Sequence, residues 1–389
     1  MMKFTIFAER PVEVYRKCDI GLLISIILMW GLGLLTLYAS SANYALRTFQ
    51  DQFYFIKRQL LLSVVGWILF ILFASVKISF IKKILPTLVI GTVILCLLPF
   101  VPGFSTPRNG AHRWILIPFI GETFQPSELG KLALVLFLAN WFDKNQVLED
   151  SQEKPSLLNP IIGLAVFVGI IMAQDDFSTA LFMFAIGLLM FYMAGVKLGK
   201  TIPFIILAIF GMLIFVFSSS FRVNRLIAFI NPSFDTHGYN YQTDAARSAI
   251  SAGGFLGQGF GSGLEKINRV PEIQTDYIFA GWAEAMGFVG VIGYFILVLF
   301  FAWRAYRASY MCKTRFTALV GFGCTSCVFL QSLANCGVVC GALPATGITL
   351  PFYSSGGSSL LVSFCICGLL INISRSNGEE EYVYEETYL

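Results

Sequence analysis

Several ionisable residues that could do chemistry border the long apolar runs of this sequence. Asp276 follows a polar stretch that begins at Tyr239, and it directly precedes the apolar run Tyr277 to Trp303. A carboxylate at the edge of hydrocarbon is costly unless it is used or paired. Asp276 is therefore a candidate catalytic residue. The alternative is an ordinary helix-capping aspartate, a role for which the neighbouring Thr275 is also available.

A pair of charged residues and one further acid lie within apolar runs. Glu128 and Lys131 are three residues apart, so on a helix they share a face and can form an ion pair. Either this pair neutralises a costly buried lysine, or Lys131 faces an anionic ligand. Glu284 lies eight residues after Asp276, about 12 Å further along the same helix. It is either a packing carboxylate kept neutral or paired, or part of the site.

Basic residues recur in two polar segments near these acids. They are Arg108, His112 and Arg113 in the first segment, and Arg222, Arg225, Arg247, Lys266 and Arg269 in the second. A cationic surface beside a membrane suits phosphate-bearing lipid head groups. The alternative for each of them is plain solvated charge.

A glycine-rich stretch, 253–263, contains Gln258 and superficially resembles a phosphate-binding loop. It does not follow a strand of a βαβ unit, so tight turns or close backbone packing are the better interpretation. His112 and His237 are the only histidines, which excludes a histidine-rich metal site. A carboxylate site for a hard divalent ion remains open.

The composition calls for a membrane scaffold to position these residues. The chain has 389 residues, of which 56% are hydrophobic and 13% charged, and its mean hydropathy is +0.73. A soluble domain carries about 25% charged residues. We predict an all-α polytopic membrane protein with about ten transmembrane helices, near residues 20–39, 59–76, 84–101, 128–142, 158–173, 177–194, 201–219, 277–302, 316–341 and 357–373. Nucleic acid is not an expected partner, because no basic stripe is interleaved with aromatic residues.

The distribution of Lys and Arg orients this bundle. If the N-terminus is cytoplasmic, every cytoplasmic turn carries Lys or Arg, and the predicted spans return the C-terminus to the cytoplasm. The predicted parts are a cytoplasmic segment 1–19, a bundle 20–375 with an extracytoplasmic loop 220–276, and an acidic cytoplasmic tail 376–389. Within the loop, 221–230 is predicted to be an interfacial amphipathic helix.

Five stretches in order resemble motifs of the SEDS (shape, elongation, division and sporulation) family. They are NGAHRWI (109–115), FQPSELGKLAL (124–134), QDDFSTAL (174–181), GGFLGQGFGSGLEKINRVPEIQTDYIFAGWAEAMG (253–287) and ALPATGITLPFYSSGGSSL (342–360). The sequence departs from the family pattern at Asp175, Ser178 and Ser355, where Pro, Gly and Tyr are usual. The resemblance covers nearly the whole chain, and its spacing is closer to the division-type members than to the elongation-type members.

The resemblance implies a peptidoglycan glycosyltransferase of the bacterial cytoplasmic membrane that polymerises lipid II at the outer face and releases undecaprenyl diphosphate. The family's essential aspartate maps onto Asp276, and two of its basic residues map onto Arg113 and Lys131. Division-type members often have an acid where this chain has Asn268, which puts a role for that acid in doubt. Expected partners are lipid II, a class B penicillin-binding protein and other division or elongation proteins.

The expected mechanism uses Asp276 as the single general base, since a pyrophosphate leaves without a protonated acid. The substrate-binding candidates are Arg113, Glu128, Lys131, Gln258, Thr275 and Glu284. Mg²⁺ or Mn²⁺ could assist, with Asp276 as a possible ligand, and no organic cofactor is expected. Two alternatives remain: a flippase for lipid II and a non-catalytic division scaffold. The candidate residues cluster at one end of the predicted helices, which favours the enzyme.

Overall fold

The computed structural model of the protein describes residues 18–105, 112–117, 122–145, 156–231, 240–260 and 270–376. These residues fold into a bundle of helices, as predicted for an all-α polytopic membrane protein. The helices are α1 Ile20–Phe49, α2 Tyr54–Ser75, α3 Ile78–Leu97, α4 Pro126–Lys144, α5 Leu158–Ala173, α6 Phe177–Met193, α7 Leu198–Phe217, α8 Ser220–Ile230, α9 Tyr241–Gly253, α10 Ile278–Tyr310, α11 Arg315–Val339 and α12 Gly357–Ser376. A 3-10 turn, Leu98–Phe100, extends α3, and two strands, β1 Ile115–Ile117 and β2 Glu122–Phe124, precede α4.

Seven of these helices (α1, α2, α3, α7, α10, α11 and α12) are long and apolar enough to cross a membrane, and α5 and α6 are shorter apolar helices. The remaining predicted span, 128–142, corresponds to α4, whose sequence contains Glu128 and Lys131. All ten predicted apolar runs therefore fall on helices. The number of crossings and the direction of each remain predictions.

The centre of the bundle contains α4, α11 and α12. In the apolar windows of α11 and α12, 72% and 78% of residues are buried, against 11% for α7 at the periphery. In α4, Leu132, Leu134 and Leu136 are each no more than 1% exposed. Residues two apart on a helix point to nearly opposite sides, so α4 is surrounded by protein. This enclosure explains how a helix with an internal Glu and Lys sits at membrane depth.

Three local features were not predicted from the sequence. The strands β1 and β2 pair antiparallel, with Ile115 opposite Phe124. Helix α9 forms in the polar loop that follows α8. Helix α10 is interrupted at Gly287, whose φ of 61° lies in the left-handed region that favours glycine. The predicted helix at 221–230 is confirmed by α8, and its residues Phe221 and Ile230 are exposed apolar side chains.

Candidate active site

Asp276 lies in the irregular segment before α10 and is partly exposed. Among the described residues, no side chain caps the N-terminus of α10, so Asp276 is not a helix-capping aspartate. The Thr275 hydroxyl does not cap this helix either, because it donates to the Glu272 carbonyl at 2.9 Å and contacts the Glu272 carboxylate at 3.2 Å. With respect to the described residues, the carboxylate of Asp276 is thus left available for a ligand, as a catalytic role requires.

The surroundings of Asp276 raise the pKa of its carboxyl from 3.8 to about 6. Removal from water has the largest effect, and the carboxylates of Glu272 and Asp176 add to it. The guanidinium groups of Arg225 and Arg113 act in the opposite direction. The site therefore brings one carboxyl with a raised pKa close to two cations, an arrangement common at catalytic centres.

The backbone of Asp276 is held by Asn335 of α11. The Asn335 side-chain amide donates to the carbonyl oxygens of Asp276 and Ile348, each at 2.7 Å. Asn335 is 1% exposed, so these bonds form away from water. One buried amide thereby joins the segment before α10 to the loop 342–356.

Loop 342–356 also binds the residues that precede Asp276. The Ser355 amide donates to the Gln274 carbonyl at 2.7 Å, and the Ser354 hydroxyl donates to the Thr275 carbonyl. A Cβ added to Gly347 would lie 3.4 Å from Asp276 Oδ2, and Gly347 has a φ of 76°. Glycine at this position therefore lets the loop pass close beside the carboxylate.

The predicted ion pair between Glu128 and Lys131 is present. Lys131 Nζ lies 2.8 Å from Glu128 Oε2 and donates to Gln331 Oε1 at 2.7 Å. Glu128 and Lys131 are 8% and 4% exposed. The Gln331 amide in turn donates to the Thr349 carbonyl at 3.0 Å. Lys131 is thus connected through one glutamine to the same loop that contacts Asp276.

Gln331 and Asn335 are four residues apart, so they lie on one face of α11. They contact the adjacent loop residues Thr349 and Ile348. This face of α11 therefore connects loop 342–356 both to the ion pair of Glu128 and Lys131 and to the backbone of Asp276. Sequence reasoning missed both residues, because an amide within an apolar run has the ordinary interpretation of helix packing.

Arg113 is held by the turn between α5 and α6. Its Nη1 lies 3.7 Å from Asp176 Oδ1, and its Nη2 donates to the Asp175 carbonyl. Asp176 also accepts from the Gln125 side chain at 2.9 Å and caps α6 through Thr179. Arg113 thus has a fixed position, and its positive charge acts to lower the pKa of Asp276.

Asp175, which stands where the resemblance leads one to expect Pro, forms a second ion pair. Its carboxylate lies 2.7 Å from Arg222 of α8. The Arg222 guanidinium also stacks 3.6 Å from the ring of Phe215. The same turn therefore holds Arg113 and ties α8 to the site.

The glycine-rich stretch packs against α10, as predicted from its composition. The amides of Gln258 and Gly259 donate to the carbonyls of Glu284 and Ala285 at 3.0 and 2.9 Å. A Cβ on Gly257 would collide with the Ala285 carbonyl. The exposed side chain of Gln258 donates to the Ala252 carbonyl at 2.7 Å. Buried Glu284 lies one turn before the interruption of α10. Substrate-binding roles for Gln258 and Glu284 remain predictions.

Within the described ranges, no group of three His, Cys, Asp or Glu residues could hold a metal ion. Asp276 could contribute one carboxylate to a divalent ion that takes its other ligands from water and substrate phosphates. Five residues singled out in the sequence lie outside the residues that the structure describes: Arg108, His237, Lys266, Asn268 and Arg269.

This fold and this site define a polytopic membrane protein with a polar, mixed-charge cluster at one end of its helices. The family model FtsW/RodA/SpoVE, described as "Cell cycle protein", matches residues 20–379. The chain belongs to this family, which confirms the family predicted from its motifs.

Two named relatives agree with this assignment. The chain is 35% identical over 365 residues to the probable peptidoglycan glycosyltransferase FtsW of Geobacter sp. (strain M18), covering 94% of this chain and 98% of that protein. It is 34% identical over 361 residues to stage V sporulation protein E of Bacillus subtilis (strain 168), covering 92% and 97%.

The fold is similar to that of a chain in a peptidoglycan synthase complex that coordinates polymerization and crosslinking. The TM-score is 0.77 at 24% identity, covering 94% of this chain and 100% of that one. It is also similar to the rod shape determining protein RodA of Thermus thermophilus, with a TM-score of 0.68 at 22% identity, covering 93% and 98%.

Proposed function

We propose that this protein is a peptidoglycan glycosyltransferase that polymerises lipid II into glycan strands, with Asp276 as the general base. The observation that carries this proposal is the available carboxylate of Asp276, whose pKa is raised to about 6 and which lies near Arg113 and Arg225. The names of the relatives support the reaction class, and the geometry of the site supports the roles proposed for its residues.

In the proposed step, the Asp276 carboxylate accepts the proton of the 4-hydroxyl of one disaccharide unit. The oxygen then forms a bond to the anomeric carbon of a second unit, and the bond from that carbon to pyrophosphate breaks. The electron pair leaves with the pyrophosphate. A base with a pKa of about 6 is mostly ionised at neutral pH and is more basic than an ordinary aspartate.

The leaving pyrophosphate gains negative charge, which fixed cations stabilise. Arg113 is positioned for this role by Asp176 and by the Asp175 carbonyl. Lys131 already pairs with Glu128 and Gln331. We therefore assign Arg113 the direct role toward the pyrophosphate. We assign Lys131 an indirect role, in which it positions loop 342–356 through Gln331 and Thr349.

Mg²⁺ or Mn²⁺ would fit beside Asp276 as a partner of the pyrophosphate, to which it would supply additional charge neutralisation. We place the site at the outer face of the bacterial cytoplasmic membrane, consistent with the predicted orientation of the bundle. A class B penicillin-binding protein is the proposed partner, and septal wall synthesis the proposed setting.

Purified protein in complex with that partner, incubated with fluorescent lipid II and Mn²⁺, tests the reaction. Glycan chains resolved on a gel support the proposal when the partner alone makes none. A complex that binds lipid II and makes no chains, yet moves labelled lipid II across a vesicle membrane, contradicts it in favour of a flippase. Absence of both activities favours the scaffold.

A further inference from the structure

A second polar feature lies at the opposite end of the bundle from Asp276. It is a cleft of about 490 Å³ between the end of α2, the start of α3, the start of α11 and the end of α12. Phe316, which lines the cleft, and Asn335, which holds Asp276, are 19 positions apart on α11. This separation corresponds to about 28 Å along the helix. The cleft is therefore separate from the candidate active site.

The lining of this cleft is strongly cationic. Lys77, Lys82, Lys313 and Arg375 contribute to it, and its described lining residues include no Asp or Glu. Lys82 pairs with Asp143 at 2.6 Å. Lys77 and Lys313 are exposed and form no ion pair with any residue that the structure describes. Within the part of the chain that the structure describes, these two positive charges are therefore uncompensated beside the cavity.

The start of α11 contributes hydroxyl groups to the cleft, while its first amides are already bonded: the Phe316 amide donates to Asp143 Oδ1 at 3.0 Å, and the Thr317 amide donates to Thr314 Oγ1 at 3.4 Å. The N-cap residue Thr314 and Thr317 of the first turn line the cleft, and their hydroxyls lie 2.6 Å apart. The cleft therefore combines side-chain cations with hydroxyl groups, a donor set that suits phosphate oxygens.

The helices beside the cleft expose apolar side chains. Leu72 near the end of α2 is 52% exposed, and Phe80 and Ile84 in the first turns of α3 are 53% and 36% exposed. A ligand with a phosphate group and acyl chains matches a cationic cleft bordered by such residues better than a free anion does. We propose that this cleft binds the phosphate head group of an anionic lipid from the leaflet at this end of the bundle.

The experiment uses the full-length protein in a neutral detergent and measures fluorescence anisotropy of labelled phosphatidylglycerol and phosphatidylcholine. Lys77→Gln with Lys313→Gln removes two charges from the cleft. Lys83→Gln with Lys144→Gln removes two exposed charges at the same end that do not line it. We expect the cleft pair to weaken phosphatidylglycerol binding about tenfold or more, and the control pair less than about twofold. Arginine at both cleft positions should retain binding.

Three results would overturn the proposal. Equal binding of the two lipids would show that the head group charge is not recognised. Equal weakening by both pairs of substitutions would show general surface attraction rather than a site. Competition by inorganic phosphate as strong as that by phosphatidylglycerol would identify a site for free anions and exclude the lipid as its specific ligand.

Discussion

Asn335 holds Asp276 from the interior of the bundle, since its buried amide donates to the carbonyls of Asp276 and Ile348 at 2.7 Å each. Loss of this amide leaves two carbonyls without their donor and frees the segment that carries the proposed catalytic carboxylate. We expect Asn335→Ala to lower the rate of polymerisation roughly 10- to 100-fold, because small displacements of catalytic groups are costly. Chain synthesis from fluorescent lipid II measures this rate.

Asn372 provides a matched control for that experiment. Its amide donates to the carbonyls of Phe73 and Val76 at 2.8 and 2.6 Å, at the other end of the bundle. Asn372→Ala should lower the unfolding temperature about as much as Asn335→Ala and leave polymerisation nearly unchanged. If both variants lose activity in proportion to their lost stability, Asn335 has no specific positioning role.

The pKa of Asp276 predicts the pH dependence of the reaction. A general base must be ionised, so activity should rise with pH and level off above an apparent pKa of about 6. Glu272→Gln removes a negative charge that raises this pKa, and should shift the rise to lower pH. Arg225→Gln removes a positive charge that lowers it, and should shift the rise to higher pH. Initial rates between pH 5 and 8 measure both shifts, and shifts in the same direction would contradict this assignment.

The same raised pKa predicts that Asp276 destabilises the folded protein when it is ionised. The folded state binds the proton more tightly than the unfolded state, so stability is lost as the pH rises from about 4 through about 6. The cost reaches at most roughly 3 kcal/mol. Asp276→Asn should therefore raise the unfolding temperature at pH 8, and this gain should shrink toward pH 4. A variant that is less stable than wild type at pH 8 would refute this prediction.

The buried pair of Glu128 and Lys131 has a structural role that can be separated from any role toward substrate. Lys131→Gln leaves Glu128 buried without its cation, which should cost about 3–5 kcal/mol of stability. Glu128→Gln combined with Lys131→Gln removes both charges and should restore most of it. If the double variant regains polymerisation together with stability, the pair has only a structural role. Polymerisation that stays low in the stable double variant assigns Lys131 to the substrate.

The sequence predicted the helices and the ion pair within α4 better than the contacts between helices. Long apolar runs identify helices by length and hydropathy alone, and the spacing of Glu128 and Lys131 determines their pairing on a helix. The link from Asn335 to Asp276 joins residues far apart in sequence, so no local pattern reveals it. The pairing of Asp175 with Arg222 and the interruption of α10 at Gly287 likewise arise from tertiary packing.

The central claim is that the carboxylate of Asp276 performs the chemistry, and Asp276→Asn tests it most directly. The substitution preserves the size of the side chain and removes the base. The control is Asp244→Asn, which changes a carboxylate of α9 whose side chain is 41% exposed. Both complexes should bind lipid II and the partner as wild type does. We predict that Asp276→Asn lowers glycan synthesis by about 10²- to 10⁴-fold, and that Asp244→Asn does not. Chains from the folded Asp276→Asn complex at close to the wild-type rate would contradict the account.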